Sequence, residues 1–479
     1  MKTKQALNPY LPSYEYVPDG EPYIFGDRIY VYGSHDRFGG SAYCMNDYVC
    51  WSAPVDDPGN WYFEGVIYKK SQDPRNPLGV MKLWAPDLAV GPDGRYYLYY
   101  SFEFTGVIGV AVADSPRGPF HFYGHVRLSN GHVIGTHPRD KYLFDPAVLV
   151  DDDGRVFLYA GLGVDRLGMA LFPMGKECRG CYVTQLEPDM LTAKETPRLL
   201  LPKRGCAAGT CFEGHEYFEA PSIRKIGPLY YLVYSSCNGH ELCYATSSYP
   251  DRDYRYGGTI VSNADIFPGV QEEAQNYYGN NHGGMVCIKN QWYIFYHRQT
   301  NRHDHSRQGC AEPIVILEDG SIPQVRISSC GLNGGPLAGN GTYPAYIACL
   351  LRSRNGVYRY GDRQKPARNH PYLTQEGGDR DTGPNQYIAN LRDGATAGYR
   401  EFSFCGQTQI SVSVRGTAGG YIELRKEDGG EIIGILKPEP SDQWKEATAA
   451  LDEPLLGVSD LYFTYVGGGY LDMNGFTIG

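Results

Sequence analysis

The sequence has few tryptophans, no excess of basic residues and no long apolar run. It contains 5 Trp among 479 residues, against 41 Tyr, 60 Gly and 32 Pro. The formal net charge is −10 and no Lys/Arg-rich stripe is present. A phosphate backbone would therefore be repelled, so nucleic acid is not expected as a partner. No apolar run approaches the roughly 18 residues that a bilayer-spanning helix needs, so no membrane association is expected.

The N-terminus lacks the apolar stretch that follows the charged residues of a signal peptide. The 13 cysteines are odd in number and scattered through strand-like segments, for example at Cys287. Such a distribution is typical of reduced thiols rather than of a disulfide framework, and both features predict a cytoplasmic protein. The close pairs Cys178/Cys181 and Cys206/Cys211 have no histidine at a zinc-site spacing, so loop thiols are favoured there over a metal site.

What the sequence does contain is a repeat in its first 300 residues. Each copy has a Pro or Gly, a short apolar run, a turn with Gly or Asn, and a second run usually rich in Tyr. These are the signals of a β-hairpin. The copies start 64, 60, 75 and 63 residues apart, which leaves room for two further strands in each. The five copies start at Pro22, Pro86, Pro146, Pro221 and Gly284.

Four-stranded units of this length bury their faces when they are arranged radially around a channel. The repeat therefore predicts an all-β fold with a five-bladed β-propeller over residues 1–330. A parallel α/β fold is the competing architecture, but the segments between the hairpins lack sustained apolar spacing of helical period. They are rich in Gly, Pro, Asp and Asn instead, which favours the propeller.

The remainder of the chain has a different pattern. Residues 331–344 are rich in Gly and are interpreted as a linker. Residues 345–479 contain short strand-like runs, such as those starting at Gln409, Gly420 and Asp460, with turns between them. This spacing predicts a β-sandwich domain of jelly-roll type.

Acidic residues recur at one position of the repeat, just before the first strand of each hairpin. The five residues at that position are Asp19, Ala85, Asp145, Glu219 and His282. Because the innermost strand of each propeller blade lines the channel, equivalent positions converge on one rim. We therefore expect four ionisable side chains from four blades to face one another in a central pocket.

Such a cluster suits the hydrolysis of a glycosidic bond. One carboxylic acid protonates the leaving oxygen while a carboxylate activates water on the opposite face, and a third acid nearby raises the pKa of the proton donor. The alternative is a purely structural role, in which Asp145-Pro146 is a turn signal and His282 is a packed channel histidine. Three acids at equivalent positions favour the functional interpretation.

The motifs around these positions resemble glycoside hydrolase family 43 over about residues 8–330. The motifs that carry this resemblance are Asn8-Pro9, Pro18-Asp19, Trp84-Ala-Pro-Asp87, Asp145-Pro-Ala-Val148, Glu219-Ala-Pro-Ser222 and Asn281-His-Gly283. The resemblance implies a five-bladed propeller and an inverting mechanism. It also implies activity on α-L-arabinofuranosides, β-xylosides or arabinans, with an oligosaccharide as substrate and no required cofactor.

The resemblance also implies a role for each acid. Asp19 matches the general base, Asp145 the residue that tunes the pKa of the acid and orients the substrate, and Glu219 the general acid. The family usually has Pro after the base, whereas this chain has Gly20. Glu21 is a rival for the base, because alternation in an extended segment would put it on the same face as Asp19.

Four further residues are predicted to lie around the substrate. Arg307 matches the arginine that reaches the sugar, and a surface salt bridge is its alternative. Trp84 is expected to form an aromatic wall, with core packing as the alternative. His282 is expected near the axis, holding a water or a cation. Asp36, at the end of the second strand of blade one, is expected to support the base.

The C-terminal region resembles carbohydrate-binding module family 6. Trp444, Tyr387 and Tyr470 offer a candidate stacking platform, although such aromatics also serve as core. Family members often hold a structural calcium through acids near the domain start, which this chain lacks at 347–352. We therefore expect a mainly structural domain, with calcium as a possible ligand.

These observations predict an exo-acting enzyme that releases terminal pentose, above all α-L-arabinofuranose, from plant-derived oligosaccharides. A β-xylosidase is the runner-up. A retaining fructan hydrolase would carry an Asn-Asp-Pro-Asn-type start, which Pro18-Asp-Gly-Glu21 does not match. A non-catalytic glycan-binding propeller is the alternative from a different class, but it would not need three acids at equivalent positions.

Overall fold

The structure is a computed structural model that describes residues 4–164, 177–357, 369–383 and 385–479. The described residues form strands, turns and three short 3-10 helices, at Lys70–Gln72, Gly331–Asn333 and Ala345–Ile347. None of these helical turns approaches the length of a helix that could cross a bilayer. The fold is therefore all-β, as the composition predicts.

Blades one and two are four-stranded antiparallel sheets whose strands follow one another in chain order. Each first hairpin turns at the Gly-containing site predicted from the sequence. Blade one has strands β1 (Glu21–Phe25), β2 (Arg28–Tyr32), β3 (Tyr48–Pro54) and β4 (Tyr62–Tyr68). Blade two has β5 (Leu83–Val90), β6 (Tyr96–Phe102), β7 (Ile108–Ala113) and β8 (His121–His125).

Blades three to five continue the pattern, with additions and one shorter sheet. Blade three contains β9 (Arg127–Leu128), β10 (Ala147–Val150), β11 (Val156–Leu162), β12 (Gly180–Leu186), β13 (Thr192–Ala193) and β14 (Arg198–Pro202). Blade four contains β15 (Tyr217–Ile226), β16 (Leu229–Ser236), β17 (Glu241–Ser247) and β18 (Arg255–Ser262). Blade five contains β19 (Met285–Ile288), β20 (Gln291–Gln299) and β21 (Arg307–Ile314). The predicted five-bladed propeller is confirmed.

The N-terminal segment lies along the last strand of blade five. The Tyr10 amide donates to the Gly309 carbonyl over 3.1 Å, and the buried Asn8 side chain donates to the Ala311 carbonyl over 3.0 Å. A bridge between Gly20 and Gly283 joins the start of blade one to blade five. These contacts close the ring of blades, because the first and last blades would otherwise meet through side chains alone.

The C-terminal strands form a separate ten-stranded sheet with its own core. Its long strands β27 (Thr396–Gly416) and β30 (Ser441–Gly468) pair along most of their length, with several register shifts. The runs predicted from Gln409, Gly420 and Asp460 lie within these strands and β28. The other strands are β22 (Leu337–Ala338), β23 (Gly341–Pro344), β24 (Leu350–Arg352), β25 (Tyr372–Gln375), β26 (Gln386–Leu391), β28 (Gly419–Arg425), β29 (Gly434–Leu436) and β31 (Leu471–Ile478).

Residues 331–344 do not behave as a free linker, contrary to the interpretation of their Gly-rich sequence. Strand β22 pairs with β27, and β23 pairs with β31. The buried side chains of Leu337 and Tyr343 supply the apolar contacts that hold these short strands in the C-terminal core. Glycine content alone therefore misled the prediction, since two apolar residues suffice to anchor the segment.

A buried ion pair joins the C-terminal sheet to the propeller. Both nitrogens of the Arg400 fork donate to the Asp265 carboxylate, over 2.8 and 2.7 Å. Arg298 of blade five donates to the Tyr346 carbonyl over 2.7 Å. Because a buried charge without its partner is strongly destabilising, these pairs tie the two parts of the chain together.

All 13 cysteines lie in the described part of the chain, and each has a free thiol. Cys206 and Cys211 are exposed, whereas Cys178 and Cys181 are buried.

Candidate active site

Asp19, Asp145, Glu219 and His282 lie together, as their common repeat position predicts. All four are buried. The Nδ1 atom of His282 lies 3.9 Å from Asp19 Oδ1 and 3.9 Å from Asp145 Oδ2. Glu219 completes the group, because its charge interacts with Asp145 and Asp19. The three acids thus come from three different blades and lie in a single pocket. The imidazole of His282, from a fourth blade, lies between Asp19 and Asp145.

The backbone leaves its extended path where these acids occur. Asp19 and Asp145 have left-handed φ values of +58° and +48°, and Ala220, directly after Glu219, has +66°. Strand β15 is irregular at the same point, with register shifts on both sides of Glu219. Left-handed non-glycine residues are uncommon and cluster at functional sites. A left-handed residue, at the acid itself or directly after it, therefore turns each acid away from its strand and into the pocket.

Asp19 is held ionised by its neighbours. Arg307 Nη1 donates to Asp19 Oδ1 over 2.9 Å, and His297 Nδ1 lies 3.2 Å from the same oxygen. Burial by itself would raise the pKa of Asp19, but the Arg307 charge and the His297 contact outweigh it and hold the pKa well below its usual range. The group is therefore a carboxylate at neutral pH.

Asp36 holds Arg307 rather than lying open to the pocket. Its carboxylate accepts from Arg307 Nε over 2.9 Å and from Nη2 over 3.1 Å, and it also accepts from the Cys44 amide over 2.9 Å. Asp36 is completely buried. The predicted supporting role agrees with this geometry. A direct contact with substrate does not, because both oxygens are already occupied.

Arg307 therefore lies between two carboxylates, and its guanidinium also packs over the Tyr43 ring, with Cζ 4.9 Å from the centroid. It is buried rather than on the surface, which rules out the exposed salt bridge considered as an alternative. Three of its nitrogens are used to position the predicted base.

The pKa values of Asp145 and Glu219 are raised, in contrast to that of Asp19. Burial raises the pKa of Glu219 to about 7, although a hydrogen bond from Asn280 Nδ2 over 3.3 Å works against it. Burial and the neighbouring Glu219 and Asp19 charges raise the pKa of Asp145 well above its usual range. Close like charges in a dry pocket cannot all ionise. The pair therefore retains a proton near neutral pH, beside a carboxylate that has lost its own.

His282 is neutral in this setting. Burial lowers its pKa to about 4, against the charge of Asp19, which raises it. Both of its 3.9 Å contacts exceed hydrogen-bond length. The ring thus spaces Asp19 from Asp145 without adding charge to either.

Glu21 does not share the pocket with Asp19, contrary to the expectation from alternation. The left-handed turn at Asp19 breaks the extended path, and Glu21 begins strand β1. Its Oε2 accepts from Arg224 Nη2 over 2.8 Å and from Ser222 Oγ over 3.0 Å. Burial raises the pKa of Glu21 to about 8, since the lowering by the Arg224 charge does not compensate. Glu21 thus belongs to a second network, separate from the Arg307 network.

Aromatic rings line one side of the site. Trp84 is half-buried, 5.5 Å from Tyr43 and 5.3 Å from Phe144 between centroids. His305 meets Tyr43 edge-on at 5.8 Å. Trp84 is thus in neither a closed core nor open solvent, and it contributes to a wall with rings from blades one, three and five.

Sequence reasoning missed His297, Tyr43 and Asn280. His297 is on the second strand of its blade, and Tyr43 is in a loop, so neither occupies the position compared across repeats. Asn280 precedes the predicted His282 by two residues, and this short spacing is the one feature of the sequence that points to Asn280 as a site residue.

One group in the described residues has the composition of a metal site, formed by His215, Glu241 and Cys243 of blade four. Glu241 already accepts from His215, Ser236 and Asn238 on one oxygen and from Thr259 on the other. The group is thus internally satisfied. At the start of the C-terminal sheet, Arg352 pairs with Asp428 over 2.6 Å.

Comparisons with known proteins show the family of this chain. A family model described as "Glycosyl hydrolases family 43" matches residues 17–322. A "Xylosidase/arabinosidase" of Thermoclostridium stercorarium is 49% identical over 99% of both chains. Among solved structures, a GH43_1 enzyme from Xanthomonas citri complexed with xylose is 26% identical, with a TM-score of 0.51 over 67% of this chain and 93% of its own. A family 43 arabinoxylan arabinofuranohydrolase from Bacillus subtilis is similar in fold over 98% and 97% of the two chains, with 23% identity and a TM-score of 0.51.

Proposed function

Since this chain belongs to glycosyl hydrolase family 43, we propose that it is an inverting exo-acting hydrolase that releases a terminal pentose from oligosaccharides. α-L-Arabinofuranose is the leading candidate for the released pentose, and β-D-xylose is the second. The relative at 49% identity, which is named for both activities, supports this pair. The observation that carries the proposal is the contrast in one pocket between an ionised Asp19 and a protonated Asp145/Glu219 pair.

Glu219 is the general acid in this proposal. Its carboxyl proton passes to the glycosidic oxygen as the bond from that oxygen to the anomeric carbon breaks. Asp19 is the general base and takes a proton from the water that attacks the anomeric carbon from the opposite face. Asp145 lies beside Glu219 in the dry pocket, and because two close carboxyl groups there cannot both ionise, the pair retains the proton that Glu219 donates. One proton is lost and one is gained by the protein, so the two acids return to their starting states after proton exchange with solvent.

The remaining residues position these groups. Arg307 fixes the Asp19 carboxylate and Asp36 fixes Arg307, as their hydrogen bonds support. His282 separates Asp19 from Asp145, and the Trp84 ring offers an apolar face to the sugar.

For the C-terminal region we infer a β-sandwich of jelly-roll type, over about 345–479, that resembles carbohydrate-binding module family 6 and serves mainly as structure. The register shifts between β27 and β30 support bent strands that cover one core from both sides. A platform of Trp444, Tyr387 and Tyr470 is not favoured, since Arg415 packs over the first two rings, at 4.3 and 4.9 Å. We also propose a cytoplasmic location, where imported oligosaccharides would be the substrates.

A panel of nitrophenyl glycosides tests the substrate, with α-L-arabinofuranoside and β-D-xyloside as the two principal members. We expect release from at least one, with Asp19→Asn as the inactive control. Turnover of neither, with glycan binding intact, would replace the enzyme with a glycan-binding propeller. Proton NMR of the first sugar released should show the inverted anomer, and a retained anomer would rule out the mechanism.

A further inference from the structure

The C-terminal sheet sends one segment back onto the propeller. This segment, residues 370–383, is called the arm and contains strand β25. The buried Tyr16 hydroxyl donates to Gln375 Oε1 over 2.6 Å, and the Asn301 amide donates to the Leu373 carbonyl over 2.9 Å. The arm therefore contacts the propeller close in sequence to both members of the Asp19–Arg307 pair. Tyr16 precedes Asp19 by three residues, and Asn301 is in the loop that leads to Arg307 at the start of β21.

Asp379 joins the arm to the loop between β2 and β3 of blade one, while the neighbouring Arg380 packs over Phe63 of β4. Asp379 Oδ1 accepts from the Phe38 amide over 2.8 Å, and its Oδ2 accepts from Asn46 Nδ2 over 3.0 Å. Both donors belong to residues 33–47, the blade-one loop, which connects β2 to β3. One carboxylate thus joins two points that lie eight residues apart in a loop without regular secondary structure.

Asn46 connects Asp379 to the active site. The same Nδ2 that meets Asp379 also donates to the Asp36 carbonyl over 3.0 Å. The Asp36 side chain holds Arg307, and Arg307 holds Asp19. A continuous series of hydrogen bonds therefore runs from the arm to the predicted base.

The blade-one loop also supplies part of the pocket wall. Tyr43 lies beneath the Arg307 guanidinium and contacts Trp84. A loop of this length loses substantial conformational entropy when it is ordered. Contacts from outside the loop that fix it in place therefore preorganise the wall and the arginine together.

We propose that Asp379 is a positioning residue for the hydrolase, which from outside the propeller fixes the blade-one loop and, through Asn46 and Asp36, the arginine that orients the base. The effect on catalysis rests on the proposed function, whereas the fixing of the loop does not. The C-terminal sheet is then part of the active-site support rather than a detachable module.

Hydrogen exchange tests the fixing of the loop without any substrate. In the full-length protein, Asp379→Ala should speed amide exchange in peptides covering residues 35–47 by about tenfold or more, because the Phe38 amide loses its acceptor. Asp381→Asn is the matched control, since Asp381 is exposed on the same arm and its carboxylate accepts from Gly383. Unchanged exchange in 35–47 in Asp379→Ala would overturn the proposal.

Kinetics test the link to the base. We expect kcat/KM to fall by about tenfold or more in Asp379→Ala, with kcat carrying most of the loss, because small misplacements of catalytic groups are costly. Asp379→Asn keeps an acceptor for Phe38 and should recover part of the rate. Wild-type kcat/KM in a variant whose loop exchanges faster would also overturn the proposal.

The acid limb of the pH–rate profile separates positioning from general destabilisation. A displaced Arg307 stabilises the Asp19 carboxylate less, so the limb should move to higher pH in Asp379→Ala but not in Asp381→Asn. Asp379→Ala leaves unaltered the other titratable groups that face Asp19, which are His282, His297, Asp145, Glu219, Tyr10, Cys44 and Tyr48. If the unaltered protein cleaves no glycoside, the proposed function fails while the exchange experiment still decides the role of Asp379.

Discussion

Asp19 and Glu21 are two residues apart, both are buried, and each pairs with an arginine, yet their pKa values move in opposite directions. Arg307 approaches Asp19 to 2.9 Å, and Arg224 approaches Glu21 to 2.8 Å. Against the effect of burial, the pKa of Asp19 is lowered, whereas that of Glu21 is raised to about 8. The distance to the arginine therefore does not explain the difference.

The remaining neighbours explain it. His297 Nδ1 lies 3.2 Å from Asp19 Oδ1, and this contact lowers the pKa of Asp19. Glu21 has the Asp87 carboxylate as a neighbour, which raises its pKa further. Burial and the Asp87 charge together outweigh the Arg224 charge around Glu21, so one proton stays in that network. A general base needs an ionised carboxylate, and only the Asp19 surroundings supply it.

The largest effect should come from breaking the proton-donating side of the pocket network. Glu219→Gln removes the proton donor but keeps the shape, so we expect kcat on substrates with poor leaving groups to fall by about 10³-fold, within the range typical of general acid catalysis. Activated nitrophenyl substrates should lose much less. Equal losses on both kinds of substrate would contradict the assignment of Glu219 as the acid.

Exchanging the two arginines for lysine compares the two networks directly. Arg307→Lys loses the fork that joins Asp19 to Asp36, so kcat/KM should fall by about 10²-fold. Arg224→Lys should lower Tm, because Arg224 also donates to the Met285 and Ile223 carbonyls, but kcat/KM per folded molecule should fall only a few-fold. Similar losses in the two variants would remove the distinction between the networks.

The pH dependence of kcat/KM should show the same distinction in the unaltered protein. Activity needs Asp19 ionised, and its pKa is lowered, so the acid limb should lie below the usual range of a carboxyl group. Activity also needs Glu219 protonated, so the rate should fall as pH rises through about 7. In Arg307→Lys the acid limb should shift upward while the basic limb stays. A profile that is flat above pH 7 would exclude Glu219 as the titrating acid.

The smallest effect is expected from Glu21→Gln. With a pKa of about 8, Glu21 is protonated at neutral pH, and an amide mimics that form. Activity should remain within about twofold. Glu21 also affects the pH dependence of stability. Because its pKa is higher in the folded protein than in the unfolded chain, the unaltered protein loses stability as pH rises from the unfolded value of about 4.3 toward 8. Thermal melts across this range should show a shallower decline in Glu21→Gln.

The repeat predicts most of the fold and three acids of the site, because both depend on short-range pattern. Alternating apolar runs around Asp-Gly and similar turns fix the hairpins, and radial packing brings equivalent positions together. Asp19, Asp145 and Glu219 follow from that symmetry alone.

What the sequence does not predict depends on departures from the pattern. The left-handed turn at Asp19 separates it from Glu21, and nothing in Pro18-Asp-Gly marks that turn unambiguously. His297 and Asp379 act from elements outside the repeat position, and their contacts span hundreds of residues. Buried Leu337 and Tyr343 overrule the Gly-rich appearance of 331–344.

Gly20 restricts which side chains can follow the predicted base Asp19. A Cβ atom at Gly20 would lie 2.7 Å from the Tyr10 hydroxyl, and one at Gly309 would lie 2.3 Å from the same oxygen. One tyrosine thus occupies the space of two side chains. A side chain at position 20 therefore requires the Tyr10 ring to move or to be replaced by a smaller residue, and the same holds at position 309.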